Sequence, residues 1–139
     1  MEKLYDNALR LSEMSPLALA FVGDGVYDLF VREYMIAKGN CPVKKLHSRT
    51  VKLVNCRAQS QFLAMLQPHL SEAEADICRR GRNAHVGHVP KNADIADYHN
   101  ATALESLFGY LYLDGQMARL RVLFDLIRNS FEEGNYDEK

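Results

Sequence analysis

Ser15-Pro16-Leu17-Ala18-Leu19-Ala20-Phe21-Val22-Gly23-Asp24-Gly25-Val26-Tyr27-Asp28-Leu29-Phe30 opens the part of the chain that decides the fold. Serine followed by a first-turn proline starts a helix, because the hydroxyl accepts from a free amide and proline has no amide to leave unpaired there. From that start Leu19, Val22, Val26, Leu29/Phe30 and Tyr34 recur at three- and four-residue steps until Gly39-Asn40. The pattern predicts one long, mostly buried helix ending near Lys38. Each interior glycine costs roughly 1 kcal/mol against alanine, so Gly23 and Gly25 around Asp24 imply a helix or ligand passing close to this backbone. The structural alternative is a plain helix crossing with Asp24 capped or paired locally. Asp28, one turn further on, is expected in a surface ion pair with Arg32.

The same periodicity continues outward. Pro42 opens a second helix with Val43, Leu46, Thr50 and Leu53/Val54, and Asn55 caps a third that carries Phe62, Met65 and Leu66 to Pro68. Ser71 and Glu74 form a capping box that starts a basic helix ending near Gly81. Asn83 to Lys91 has two histidines, a glycine and a proline without apolar period, and is expected to be a loop. Helix resumes around Asn92 to Asp94 and runs through Leu113, and a last helix follows Gly115 through Ile127. With no alternating stretch, the expected fold class is all-α, of about six or seven helices.

Composition narrows the function. The chain has 139 residues, 47% apolar and 25% charged, ordinary usage for one globular domain and not for a disordered or low-complexity chain. No segment nears the roughly 18 apolar residues of a membrane span, and Met1 to Pro16 lacks a signal peptide's apolar stretch, so a cytoplasmic protein is expected. Cys41, Cys56 and Cys78 have neither disulfide nor zinc spacing and are expected to be free thiols. The net charge of −1 conceals a segregation. Cys41 to Lys91 holds nine basic residues against three acids, leaving the excess of carboxylates at the two ends. Such a basic middle suits a polyanion, or is simply a set of solvated helix faces.

Glu105 interrupts an otherwise apolar, small-residue helix from Ala101 to Asp114. A charge there must be paired, protonated or bound to metal. Asp24 and Glu105 together offer the hard oxygen ligands that Mg²⁺ takes when it keeps several of its waters, while a buried Arg–Glu or Asp–His pair is the bland alternative. Arg79, Arg80, Arg82, His85, His88 and Lys91 are candidates for a nucleic-acid surface, or else belong to an exposed loop. His47, His69 and His99 are expected to be packing or surface residues. The Tyr110/Tyr112 and Phe62/Met65 stripes are expected in the core.

Leu19 to Val26 resembles the LEFLGDAV segment of ribonuclease III catalytic domains, and Thr102 to Asp114 resembles their DAFEALIGAIYLD helix. The short Mini-III branch is more similar still, through Leu17 to Tyr27, Arg80 to Ala84 and Val89 to Asp94, so the resemblance covers nearly the whole chain. It implies a ribonuclease III catalytic-domain fold over residues 1–139, with no double-stranded-RNA-binding domain following the last helix. It implies Asp24 and Glu105 as catalytic and metal-binding residues, Mg²⁺ as cofactor, and a homodimer that cuts each strand of double-stranded RNA to leave 5′-phosphate and 3′-hydroxyl ends. Precursor 23S ribosomal RNA is the implied substrate, with a large-subunit ribosomal protein as a further partner. The longer enzymes carry two more carboxylates where this chain has Ala20 and Thr102, which points to one well-held Mg²⁺ and a second arriving only with substrate phosphate. The competing expectation is a non-catalytic helical RNA-binding or ribosome-assembly module. A helical nucleotide pyrophosphohydrolase would need a pair of ExxE/ExxD motifs that the sequence lacks.

Overall fold

A computed structural model describes residues 2–5, 10–84, 89 and 91–134. Six α-helices follow one another: α1 Pro16–Ala37, α2 Val43–Val54, α3 Cys56–Leu66, α4 Glu72–Arg82, α5 Ile95–Leu113 and α6 Met117–Gly134. Single turns of 3-10 helix stand at Leu11–Glu13 and Gln67–His69, and no strand occurs among the described residues. The starts are those the sequence spells. Ser15 Oγ accepts from Ala18 N and Asn55 Oδ1 from Ala58 N. Ser71 and Glu74 close both bonds of the capping box, and Asp94 caps α5.

α5 is the central element. Its residues Ala101 to Leu104, Ser106 to Gly109, Leu111 and Leu113 are all buried, and it packs against α1, α3, α4 and α6, only its first turn at Ile95 and Ala96 standing exposed. A helix buried along most of its length is stable only inside such a bundle, where each fully buried leucine contributes about 1.5–3 kcal/mol. Aromatic rings tie α1 to its neighbours: Tyr27 meets Phe108 edge-on at 5.4 Å and Phe30 meets Phe124 at 5.5 Å. Tyr27 also donates its hydroxyl to Leu53 O at 2.8 Å, which pins the end of α2 to the middle of α1. The Tyr110/Tyr112 and Phe62/Met65 stripes join this core, as expected.

α4 approaches α5 where the residues are small, Gly81 lying against Ser106 and Ala103. Ser106 Oγ in turn donates to Pro16 O at 3.0 Å, fixing the start of α1. A half-buried ion pair, Arg119 Nε to Glu74 Oε2 at 2.9 Å, joins α6 to α4, and burial of that carboxylate is outweighed by Arg119, which holds its pKa low. Asp28 pairs with Arg32 at 2.8 Å on the surface, as expected.

Candidate active site

The two glycine-adjacent helices cross backbone to backbone. A Cβ built on Gly23 would stand 1.6 Å from Glu105 O, and one on Gly109 would stand 1.9 Å from Leu19 O. Only hydrogen fits at either position, so α1 and α5 meet more closely than side chains would allow. Of the two glycines around Asp24, Gly23 therefore meets the helix that the sequence implied, whereas Gly25 has nothing within 4 Å and faces open space.

The crossing brings Asp24 and Glu105 together. Asp24 is exposed, and Glu105 lies more deeply beside it. Burial first, then the negative charge of Asp24 and a hydrogen bond with it, push the Glu105 pKa up to about 8, while the Gln59 amide on α3 works against them. Neither carboxyl group forms an ion pair with a Lys, Arg or His among the described residues, so neither a buried Arg–Glu nor an Asp–His pair accounts for Glu105. Ala20 and Thr102 are buried, and the Thr102 hydroxyl is turned to its own helix, donating to Tyr98 O at 3.1 Å. They add no carboxylate.

The first turn of α3 forms the third wall. The Cys56 thiol pKa is raised by burial and then by the charges of Glu105 and Asp97. Cys41, Cys56 and Cys78 are all free. Gln59, 3% exposed, is the site residue that the sequence does not announce. Its one signal is register, since it precedes Phe62, Leu63 and Leu66 on the buried stripe of α3. No cluster of three or more His, Cys, Asp or Glu suited to a metal exists among the described residues. Two carboxylates alone fit Mg²⁺, which commonly takes one or two protein carboxylates and keeps its waters, and do not fit zinc.

The basic candidates lie on α4 and in the stretch that follows it. Cys78 and Gly81 turn inward from α4, leaving Arg79, Arg80 and Arg82 exposed, and Arg79 is bonded to Asp76 one turn earlier. Lys91 is exposed; His85 and His88 lie outside the described residues. His47 and His69 are on the surface, and His99 is partly buried with an unpartnered Nδ1.

An all-helical bundle that converges two carboxyl groups and carries an exposed basic helix belongs to a known class. The ribonuclease III domain matches residues 17–116, and the chain belongs to this family of endoribonucleases. Its curated relatives include the Mini-ribonuclease 3 of Clostridium tetani, 42% identical over 129 residues that span 92% of this chain and 85% of the relative. The Mini-ribonuclease 3 of Thermoanaerobacter is 44% identical over 120 residues, 86% and 84% of the two chains. That of Staphylococcus aureus is 37% identical over 129 residues, 91% and 95%. The crystal structure of protein FN1578 from Fusobacterium nucleatum superposes with a TM-score of 0.77 at 26% identity, covering 89% of this chain and 98% of that one. No helix among the described residues is long and apolar enough to cross a membrane.

Proposed function

We propose that Asp24 and Glu105 are the catalytic and metal-binding pair of a Mg²⁺-dependent endoribonuclease that cuts double-stranded RNA. The observation that carries this reading is the placement of two carboxyl groups side by side across the α1–α5 crossing, without a cationic side chain between them. Two such groups repel unless they share a cation or a proton. When bound, Mg²⁺ supplies positive charge for the scissile phosphate and acidifies water at the site. Asp24 and Glu105 hold the ion in place, and the rigid glycine crossing keeps their separation fixed. Arg79, Arg80, Arg82 and Lys91 bind backbone phosphates of an A-form duplex, whose deep major groove hides its sequence, and His85 and His88 belong to the same proposal.

The working form is a homodimer with one site for each strand, leaving 5′-phosphate and 3′-hydroxyl ends. An exposed apolar row on α1 supports this, since Phe21 is 83% exposed. Precursor 23S ribosomal RNA in the cytoplasm is the proposed substrate, with a large-subunit ribosomal protein as partner. These are what the resemblance to the Mini-III branch implies. A long RNA duplex incubated with the protein in Mg²⁺ and in EDTA is the test. Cleavage to ends bearing 5′-phosphates in Mg²⁺ alone is expected; duplex bound but uncut in both would favour the non-catalytic RNA-binding module.

A further inference from the structure

Gly81 lies on the buried side of α4, between the exposed Arg80 and Arg82, neither of which enters an ion pair among the described residues. A Cβ built on it would stand 2.6 Å from Ser106 Oγ, 2.9 Å from Ser106 Cβ and 3.1 Å from Ala103 Cα on α5. The hydroxyl is not free to swing aside, because Ser106 is wholly buried and its Oγ donates to Pro16 O at 3.0 Å. Even with that oxygen turned away, the Ser106 and Ala103 carbons would crowd a methyl group. Ser106 follows Glu105 directly, and Pro16 opens the helix that carries Asp24. A single buried contact therefore joins the helix bearing the arginines to both helices bearing the carboxyl groups.

We propose that the Gly81–Ser106 contact sets the spacing between the arginines of α4 and the Asp24–Glu105 pair, so that Gly81 and Ser106 are positioning residues for cleavage. The inference rests on reading that pair as the cutting site and Arg80 and Arg82 as holders of duplex phosphate. Contacts to phosphate fix the register and orientation of a protein on a duplex without reading its sequence. A protein that grips some phosphates by charge can present another to its carboxyl groups only if grip and carboxyl groups stand at a fixed distance. A misplacement of about 1 Å that arises far from the chemistry can cost about a hundredfold in rate. Contact without an intervening Cβ seats α4 on α5 at one depth, and close-packed interiors transmit any change in that depth to what the helix carries.

The experiment compares wild type, Gly81→Ala, Ser106→Gly and the double variant in cleavage of an RNA duplex, in duplex affinity measured in EDTA, and in Mn²⁺ binding to the protein without RNA, read by electron paramagnetic resonance. Gly81→Ala is expected to push α4 off α5 and lower kcat by about ten- to a hundredfold. Duplex affinity and Mn²⁺ binding are expected to stay close to wild type, because the arginines still meet phosphate and the carboxyl pair is undisturbed. Ser106→Gly removes the atoms that the new methyl would meet at 2.6 and 2.9 Å, so in that background Gly81→Ala is expected to cost little further kcat. Should Gly81→Ala fail to fold, Ser106→Cys enlarges the same contact from the other side and is expected to show the same split between kcat and affinity in smaller measure. A folded variant that melts early while kcat, affinity and Mn²⁺ binding all hold would make the contact packing alone and overturn the inference. An equal loss of kcat in both backgrounds overturns it too, as does a loss of Mn²⁺ binding, which would make the contact a support of the carboxyl pair. If wild type leaves the duplex uncut, or replacing Arg80 and Arg82 by alanine leaves duplex affinity unchanged, the functional reading beneath the inference fails and takes the inference with it.

Discussion

Glu105 sits where its neutral form is favoured: burial and the neighbouring Asp24 lift its pKa from the ordinary 4.5 to about 8. Between those values the folded chain keeps a proton that the unfolded chain has released, so without metal the contribution of Glu105 to stability falls as pH rises through this window. Glu105→Gln removes the dependence. Thermal melts in EDTA are expected to show the variant level with wild type near pH 4.5 and above it at pH 8. The gain should be largest without Mg²⁺, since a bound cation favours the ionised carboxyl that the variant lacks. Asp24→Asn keeps shape and loses charge, and is expected to abolish cleavage of an RNA duplex while far-ultraviolet circular dichroism stays unchanged; turnover within about tenfold of wild type would remove Asp24 from the mechanism. Both carboxylates were legible in the sequence for physical reasons, one flanked by costly glycines and the other alone in an apolar helix. Gln59 was not, because glutamine is common on exposed helix faces and only the register of α3 turns it inward.

At the scale of helices, the glycines around Asp24 divide the work. Gly23→Ala forces a Cβ into the Glu105 carbonyl, and since backbone cannot rotate away, the cost exceeds the roughly 1–3 kcal/mol of ordinary overpacking. Gly25→Ala meets nothing within 4 Å and gains helix propensity worth about 1 kcal/mol. Melting in dilute solution is expected to fall sharply for the first substitution and to hold or rise for the second. α4 carries a different prediction. Replacing Arg79, Arg80 and Arg82 by alanine in an Asp24→Asn background should weaken duplex binding and flatten its dependence on salt, by roughly one unit of slope for each arginine that touches phosphate. Arg79, already bonded to Asp76, should contribute least. Superimposed salt series for the two proteins would place the duplex on another face. The helices themselves were readable because Ser15, Asn55, Ser71 and Asp94 each cap a start and apolar steps of three and four run between them. Which helix becomes central was not, because the apolar residues of α5 spread around the helix instead of keeping to one stripe, and only packing decides what surrounds it.

At the scale of the whole molecule, the outer side of α1 presents an apolar row to solvent. Leu17, Phe21, Gly25 and Leu29 follow at four-residue steps; the three apolar side chains are exposed, and Gly25 leaves room for a close approach. Asp24 stands beside this row, so a second copy seated on it would bring two carboxylate pairs near one seam, as a cut on each strand of a duplex requires. A phenylalanine with most of its surface in water contributes little to the monomer and much to an interface, where large aromatic anchors dominate the binding energy. Phe21→Glu is therefore expected to leave the monomer's melting temperature nearly unchanged while shifting its sedimentation from dimer to monomer. Cleavage should then fall with dissociation and recover in part at high protein concentration for the milder Phe21→Ala. A Phe21→Glu protein that still sediments as a dimer and still cuts both strands would mean that the two copies meet through another surface, and that the exposed row on α1 serves a different partner.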